Sequence, residues 1–255
     1  MIFTHCGLLG DFMLSWPIAS WYYKKTGEKI HFVLPNIPCF SQVDSVLLKQ
    51  PFTDKITRVD FKVDHFSMGG QPYNINPADF GITGEFVNLG FYEWPDEYCA
   101  KAMADEHGLG VDYDYVMEIT VDENTPKFDK IIAFPIVDDY EITASEMTKR
   151  QWGKYMLENF CPRDCHVLDL SKTLYENLQI CKNSNHVYCS DGGISIALDL
   201  MRVSQTVYYK ERATIPGKLY ALGEWFEPIY YMPKNSARHF IPIRMEIKPL
   251  ASLNW

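Results

Sequence analysis

The sequence predicts an α/β protein with mostly parallel sheets, and three observations carry that expectation. Short apolar runs alternate with helical patterns along the chain, as in strand–helix–strand units. In the second half this alternation is regular, β-α-β-α-β-α-β, with connections of a few residues. Apolar residues make up 47% and charged residues 22% of the 255 positions, a globular balance that excludes a disordered chain.

The first apolar run is Ile2 to Cys6, followed by the glycine-bounded turn Gly7-Leu8-Leu9-Gly10. A helix is expected from about Asp11, with Leu14, Ile18, Trp21 and Tyr22 on its apolar face. Pro17 is compatible with it only inside the first turn or two. Gly27 ends this helix, and Ile30 to Leu34 is a second buried strand closed by Pro35. Val59-Asp60-Phe61, Phe86-Val87-Asn88-Leu89 and Tyr115-Val116-Met117 read as strands. Phe66 to Asn76, rich in glycine, proline and asparagine, reads as a long loop, of the kind that is often substrate-binding or mobile. Tyr98 to His107 reads as a helix stopping at Gly108.

The polar stretch Thr120 to Pro126 divides the chain into an amino-terminal lobe over 1–122 and a carboxyl-terminal lobe over 127–255. In the second lobe Ile131–Phe134, His166–Leu170, His186–Cys189 and Gln205–Tyr209 are expected strands. Arg150–Phe160, Thr173–Cys181 and Gly193–Met201 are the helices between them. Each lobe is thus a Rossmann-like, doubly wound unit, and the two would face each other across a cleft.

No apolar run reaches the roughly 20 residues that span a bilayer. The first residues lack the basic flank and apolar stretch of a signal peptide, so the expected location is the cytoplasm. Seven cysteines, an odd number, do not suggest a disulfide framework. Cys161, Cys165, His166 and His186 have no familiar zinc spacing, and reduced, mostly buried thiols are expected instead. A net charge of −9 argues against a broad nucleic-acid face. It leaves room for a local basic groove, with Lys149, Arg150 and Lys154, or Lys210, Arg212 and Lys218, as the concentrations. Aromatic residues, 15% of the chain, suit stacking on bases or sugars and also suit a core.

Ligands of open α/β sheets bind beyond the carboxyl ends of the strands. Three segments have suitable chemistry there. In Gly7-Leu8-Leu9-Gly10-Asp11, Gly10 permits close approach of a ligand, and Asp11 is either a reactive acid or a partner of the helix dipole. In Cys189-Ser190-Asp191-Gly192-Gly193-Ile194-Ser195-Ile196, the N–H groups of Gly193, Ile194 and Ser195 suit a diphosphate, although such a turn is also a plain connection. In Thr148-Lys149-Arg150-Gln151-Trp152, cations at a helix start oppose its dipole. Either a phosphate in the cleft or solvent exposure accounts for them.

Together these motifs resemble the lipopolysaccharide heptosyltransferases, family nine of the GT-B glycosyltransferases. The family's first turn ends in Gly-Asp followed by Leu-Pro, and Gly10-Asp11 and Trp16-Pro17 fill those places. A basic residue one position from a Trp is matched by Arg150 and Trp152, with Lys149 as an alternative. The donor turn, Asp-Ser/Thr-Gly-x-x-His, is matched in part by Asp191 to Ile196. Ile196 replaces the histidine, the chain is shorter than a typical member, and Phe66 to Gly110 carries no motif that aligns.

The resemblance implies an inverting, metal-independent transfer from a nucleotide-sugar co-substrate, with no further cofactor. Asp11 would be the base. Gly10, Thr148, Lys149, Arg150, Asp191, Gly192, Gly193, Ile194 and Ser195 would hold the donor, with Lys149 or Arg150 neutralising the leaving group. The expected acceptor is a saccharide. The alternative is a hydroxylated base in DNA, for a phage-type enzyme acting in the host cytoplasm. A monomer is expected. Other readings are a metal-dependent transferase using Asp112-Tyr113-Asp114, which reads as surface, and a non-catalytic nucleotide-binding module. Ser195 lacks the Gly-x-Ser-x-Gly elbow of a serine hydrolase.

Overall fold

The computed structural model describes residues 1–5, 9–36, 38–61, 75–89, 99–133, 157–169, 171–190, 192–210 and 238–243. They form two sheets. The first holds β1 (Ile2–Thr4), β2 (Ile30–Pro35), β3 (Thr53–Val59) and β4 (Phe86–Asn88), in the order β3-β2-β1-β4. The second holds β5 (Lys130–Ala133), β6 (His166–Val167), β7 (His186–Ser190), β8 (Gln205–Lys210) and β9 (Arg238–Ile243), in the order β6-β5-β7-β8-β9. Every pairing is parallel. The α/β class with parallel sheets is therefore the one observed. In each sheet the winding reverses once, beside β1 and beside β5, and such reversals open a crevice at the strands' carboxyl ends.

The helices are α1 (Leu9–Leu14), α2 (Trp16–Thr26), α3 (Pro38–Leu47), α4 (Cys99–Glu106), α5 (Leu174–Asn183) and α6 (Gly193–Leu200). The single helix expected from Asp11 is in fact two. The first starts at Leu9, ahead of Asp11, and a turn at Ser15 separates it from the second. Pro17 explains the break. It has no N–H for the carbonyl one turn back, but at the start of a new helix that loss is harmless. The Ser15 hydroxyl closes the turn by donating to the Phe12 carbonyl at 2.6 Å. α2 then ends on Gly27, whose N–H bonds the Tyr23 carbonyl. At the start of α5, Thr173 and Glu176 satisfy each other's backbone N–H groups in a capping box.

Three expected strands differ. The strand placed at Val59–Phe61 is Thr53–Val59, an edge strand on which only the two end residues are buried. Solvent on one edge lets it carry Asp54, Lys55 and Arg58, so no apolar run marks it. His166–Leu170 shrinks to the two exposed residues of β6. Tyr115–Met117 is not a strand. Tyr115, Met117 and Ile119 are buried and alternate with exposed Val116 and Glu118, but no neighbouring strand pairs with them among the described residues. Of the loop expected over Phe66–Asn76, residues 66–74 lie outside the described residues. The helix over Arg150–Phe160 is observed for 157–160 only, its remainder lying outside too.

One hydrophobic cluster runs through both sheets, from Phe3, Phe32 and Leu34 to Ile131, Val187 and Val207. Phe12, Trp16, Phe32 and Phe52 meet edge-on at 5.9 to 6.2 Å, and Phe52 continues to Tyr115 at 5.8 Å. These aromatic residues are thus core. The extended segment from Tyr115 to Thr125 is laced to elements of both halves. From the first half, the buried Gln50 amide accepts from Tyr115 Oη (2.6 Å) and Glu118 N–H (2.9 Å), and donates to the Glu118 carbonyl (3.0 Å). From the second, Leu200 O accepts from Met117 N–H at 2.8 Å. Lys182 donates to Ile119 O, Gln179 to Thr120 O and Asn183 to Thr125 O, at 2.6 to 2.8 Å. No helix among the described residues is long and apolar enough to cross a membrane.

Candidate functional site

The carboxyl end of β1 is buried. The Thr4 hydroxyl donates to the side-chain carbonyl of Asn88, and Leu89 N–H bonds Thr4 O at 2.8 Å, which seats β1 against β4. His5 follows, 2% exposed, with its ring edge-on to Phe12 at 5.5 Å. Burial pushes the imidazole from 6.5 down to about 3, so it is neutral here. Sequence reasoning passed over His5, because one polar residue inside an apolar run carries no periodic signal.

The state of His5 has a measurable consequence. Between pH 6.5 and about 3 the unfolded chain holds a proton that the folded chain does not. Stability therefore falls as pH is lowered through that window, by up to about 1.4 kcal/mol per unit. His5→Phe is expected to flatten the slope of urea-unfolding free energy between about pH 6.5 and 4.5, above the range where carboxylates titrate. Parallel slopes for variant and wild type would refute the assignment.

Gly10 and Asp11 are the second and third residues of α1. A methyl group on Gly10 would lie 3.0 Å from Ile196 Cδ1 and 3.6 Å from both the Cα and the N of Gly193. The first turn of α1 therefore packs on the first turn of α6, and a larger residue at Gly10 would have to push the Ile196 side chain aside by a few tenths of an ångström. Ile196, 7% exposed, covers the contact.

α6 begins at the carboxyl end of β7. Gly192 is its N-cap, with φ 155° and ψ −167°, a conformation unfavourable for other residues. Gly193, Ile194 and Ser195 are its first three residues. The Ser195 hydroxyl, fully buried, donates to Gly192 O at 2.8 Å and accepts from Gly192 N–H at 3.2 Å. It braces the turn, a use unlike that of a nucleophile. A helix leaves its first N–H groups without intrahelical acceptors, here those of Gly193, Ile194 and Ser195. Two helix starts, one from each sheet, thus adjoin at Gly10 and Gly193. The leading N–H groups of α6 favour an anion.

The structure brings Gly10 against Gly193; Gly192, Ile194 and Ser195 belong to the same turn as Gly193, and Asp11 is the residue after Gly10 on α1. Thr148, Lys149, Arg150 and Asp191 lie outside the described residues. Asp112, read from sequence as a surface residue, is instead tied to α2, and its side chain is only 9% exposed. Lys24 Nζ stands 2.8 Å from its carboxylate, and the Ser20 hydroxyl donates to it at 2.6 Å. Burial alone would raise this carboxyl, but the Lys24 and Ser20 bonds outweigh it and hold it below the ordinary value. Asp114 is exposed. Of the other candidate ligands, His166 stacks on Phe128 at 3.7 Å, and His186 bonds the Ser204 and Thr206 hydroxyls. No cluster of three His, Cys, Asp or Glu suited to a metal occurs among the described residues. Cys99, Cys161, Cys165, Cys181 and Cys189 are in no disulfide.

The fold is similar to that of known glycosyltransferases. Three solved structures show it. A glycosyl transferase family 9 protein from Veillonella parvula has a TM-score of 0.54 at 12% identity, over 95% of this chain and 86% of that one. ADP-heptose LPS heptosyltransferase II from E. coli has a TM-score of 0.53 at 9% identity, over 94% and 89%. E. coli heptosyltransferase WaaC with ADP has a TM-score of 0.51 at 10% identity, over 96% and 94%. At such identities the likeness concerns the fold. No sequence-family model and no curated protein matches the chain.

Proposed function

We propose that the protein is an inverting, metal-independent glycosyltransferase that moves a sugar from a nucleotide-sugar donor to a saccharide hydroxyl. The observation that carries this reading is the meeting of α1 and α6 at Gly10 and Gly193. That meeting puts the first turn of α1, which carries Asp11 in the chain, against the first turn of α6, whose leading N–H groups suit a phosphate. The fold shared with heptosyltransferases, one of them solved with ADP, supports it. In this reading the lobe over 1–122 receives the acceptor and the lobe over 127–255 holds the donor across a cleft.

The donor's diphosphate lies on the turn Asp191 to Ser195, and Lys149 or Arg150, with Thr148, holds it from the other side. Asp11 takes the proton of the acceptor hydroxyl as its oxygen attacks the anomeric carbon. The bond from that carbon to the diphosphate breaks, and the nucleoside diphosphate leaves with the electron pair. A single displacement inverts the anomeric centre. The net charge of −9 favours a saccharide over a DNA duplex as acceptor.

A thermal-shift screen of the full chain against ADP, UDP, GDP and their sugar conjugates tests the reading. At least one nucleoside diphosphate is expected to raise Tm by several degrees, the gain at about 100 times Kd being roughly 2.7 kcal/mol. Absence of a shift with every nucleotide would overturn it. A shift without transfer to any sugar acceptor would leave a binding module.

A further inference from the structure

The carboxyl-terminal sheet contains a buried amide that apolar packing does not call for. Gln205 opens β8, is 1% exposed, and occupies a position where parallel sheets usually carry an aliphatic residue. Burying an amide is costly unless it is hydrogen-bonded. Both ends of this one are. Nε2 donates to Ser195 O at 3.0 Å, and Oε1 accepts from Cys189 Sγ at 3.3 Å.

A second polar contact lies one helical turn further along α6. Asp199, four residues after Ser195, pairs with Arg238 at 3.3 Å, and both side chains are 2% exposed. Arg238 is the register partner of Gln205 on β9. Residues 195 and 199 share a face of the helix, so Gln205 and Arg238 grip the same stripe from adjacent strands. The rest of α6 is held by apolar side chains: Ile194, Ile196, Ala197, Leu198 and Leu200 are all buried. Apolar contact is non-directional and tolerates sliding, whereas two hydrogen-bonded contacts one turn apart fix axial position and rotation.

We propose that Gln205 is a positioning residue of the donor site. It holds Ser195, and through it the Gly192–Ser195 turn, so that the leading N–H groups of α6 point at the diphosphate. This inference rests on the reading of that turn as a diphosphate site. Gln205 does not itself touch the ligand.

The test is calorimetric titration of the full-length protein with ADP and UDP, alongside thermal unfolding. Gln205→Met keeps the volume and removes both hydrogen bonds. It is expected to weaken the affinity of whichever nucleotide the wild type binds by roughly five- to tenfold. The control is Tyr208→Phe, which removes a bond of 3.1 Å to Phe160 O on the opposite face of the same sheet. It is expected to lower Tm but leave Kd within about twofold of wild type. Should Gln205→Met not fold, Gln205→Asn, too short to reach Ser195, carries the same expectation. Wild-type affinity in the Gln205 variants, or an equal loss in Tyr208→Phe, overturns the positioning role. Failure of the wild type to bind either nucleotide, or any from the screen, overturns the reading beneath it instead.

Discussion

Asp11→Asn is expected to lower turnover by about 10²- to 10⁴-fold while the affinity for the nucleoside diphosphate stays within about twofold. Asparagine keeps the size and polarity of the side chain but cannot take a proton from an incoming hydroxyl. Asp11 is the third residue of α1, and an acid in a first helical turn also serves the helix dipole. The two roles separate quantitatively. Dipole support alone is worth about 0.3–1 kcal/mol of stability and leaves turnover near wild type. Steady-state kinetics on the best acceptor, with donor affinity measured separately, decide between them. Near-wild-type kcat in the asparagine variant would remove Asp11 from the chemistry.

Gln50→Leu should have the largest effect on stability, about 3–5 kcal/mol. Leucine fills a similar volume, so the loss is polar. The Tyr115 hydroxyl and both backbone groups of Glu118 lose their partner, as does the bond from the amide to Val46 O at 3.1 Å. Each buried group left unsatisfied costs about 1–3 kcal/mol. The segment concerned is also bonded to α5 and α6, so weakening should spread to the second sheet. Hydrogen exchange measured on amides of β2 and β7 is expected to show both losing protection by the same free energy. Loss confined to β2, or a total cost below about 1 kcal/mol, would show that the two sheets do not unfold as one unit.

The parts of the fold that could be read in the sequence are those buried on both faces. β1 and β2 are largely apolar runs because parallel strands covered on both faces meet little solvent. α5 could be read from its capping residues, and α6 from the glycines ahead of it. β3 was displaced because a sheet edge tolerates Asp54 and Lys55, which hide the run. α3 and β9 went unassigned, β9 because Arg238 and His239 open it with charge and polarity. Tyr115–Met117 misled for a different reason. Alternating burial reports that one side of an extended chain faces a core, and says nothing about whether another strand accepts its hydrogen bonds.

The site divides in the same way. Glycines at strand–helix junctions marked Gly10 and Gly192–Ser195, because close approach and an unusual φ leave few other residues possible. The break at Ser15 could not be read from Pro17, which is equally compatible with the opening turns of one continuous helix. His5, Gln50 and Gln205 carry no pattern at all. Each is a single polar residue whose role depends on groups distant in sequence, and only the folded arrangement brings those groups within reach.

The stretch from Tyr115 to Thr125 also sets a schedule for synthesis. All of β1 to β4 has left the ribosome before it, yet Leu200 O, Lys182, Gln179 and Asn183, which hold it, have still to be made. Until α6 emerges, the nascent amino-terminal sheet keeps Met117 and Ile119 without their final cover. A chaperone that binds extended apolar segments would find a target there for as long as translation of the following helices lasts.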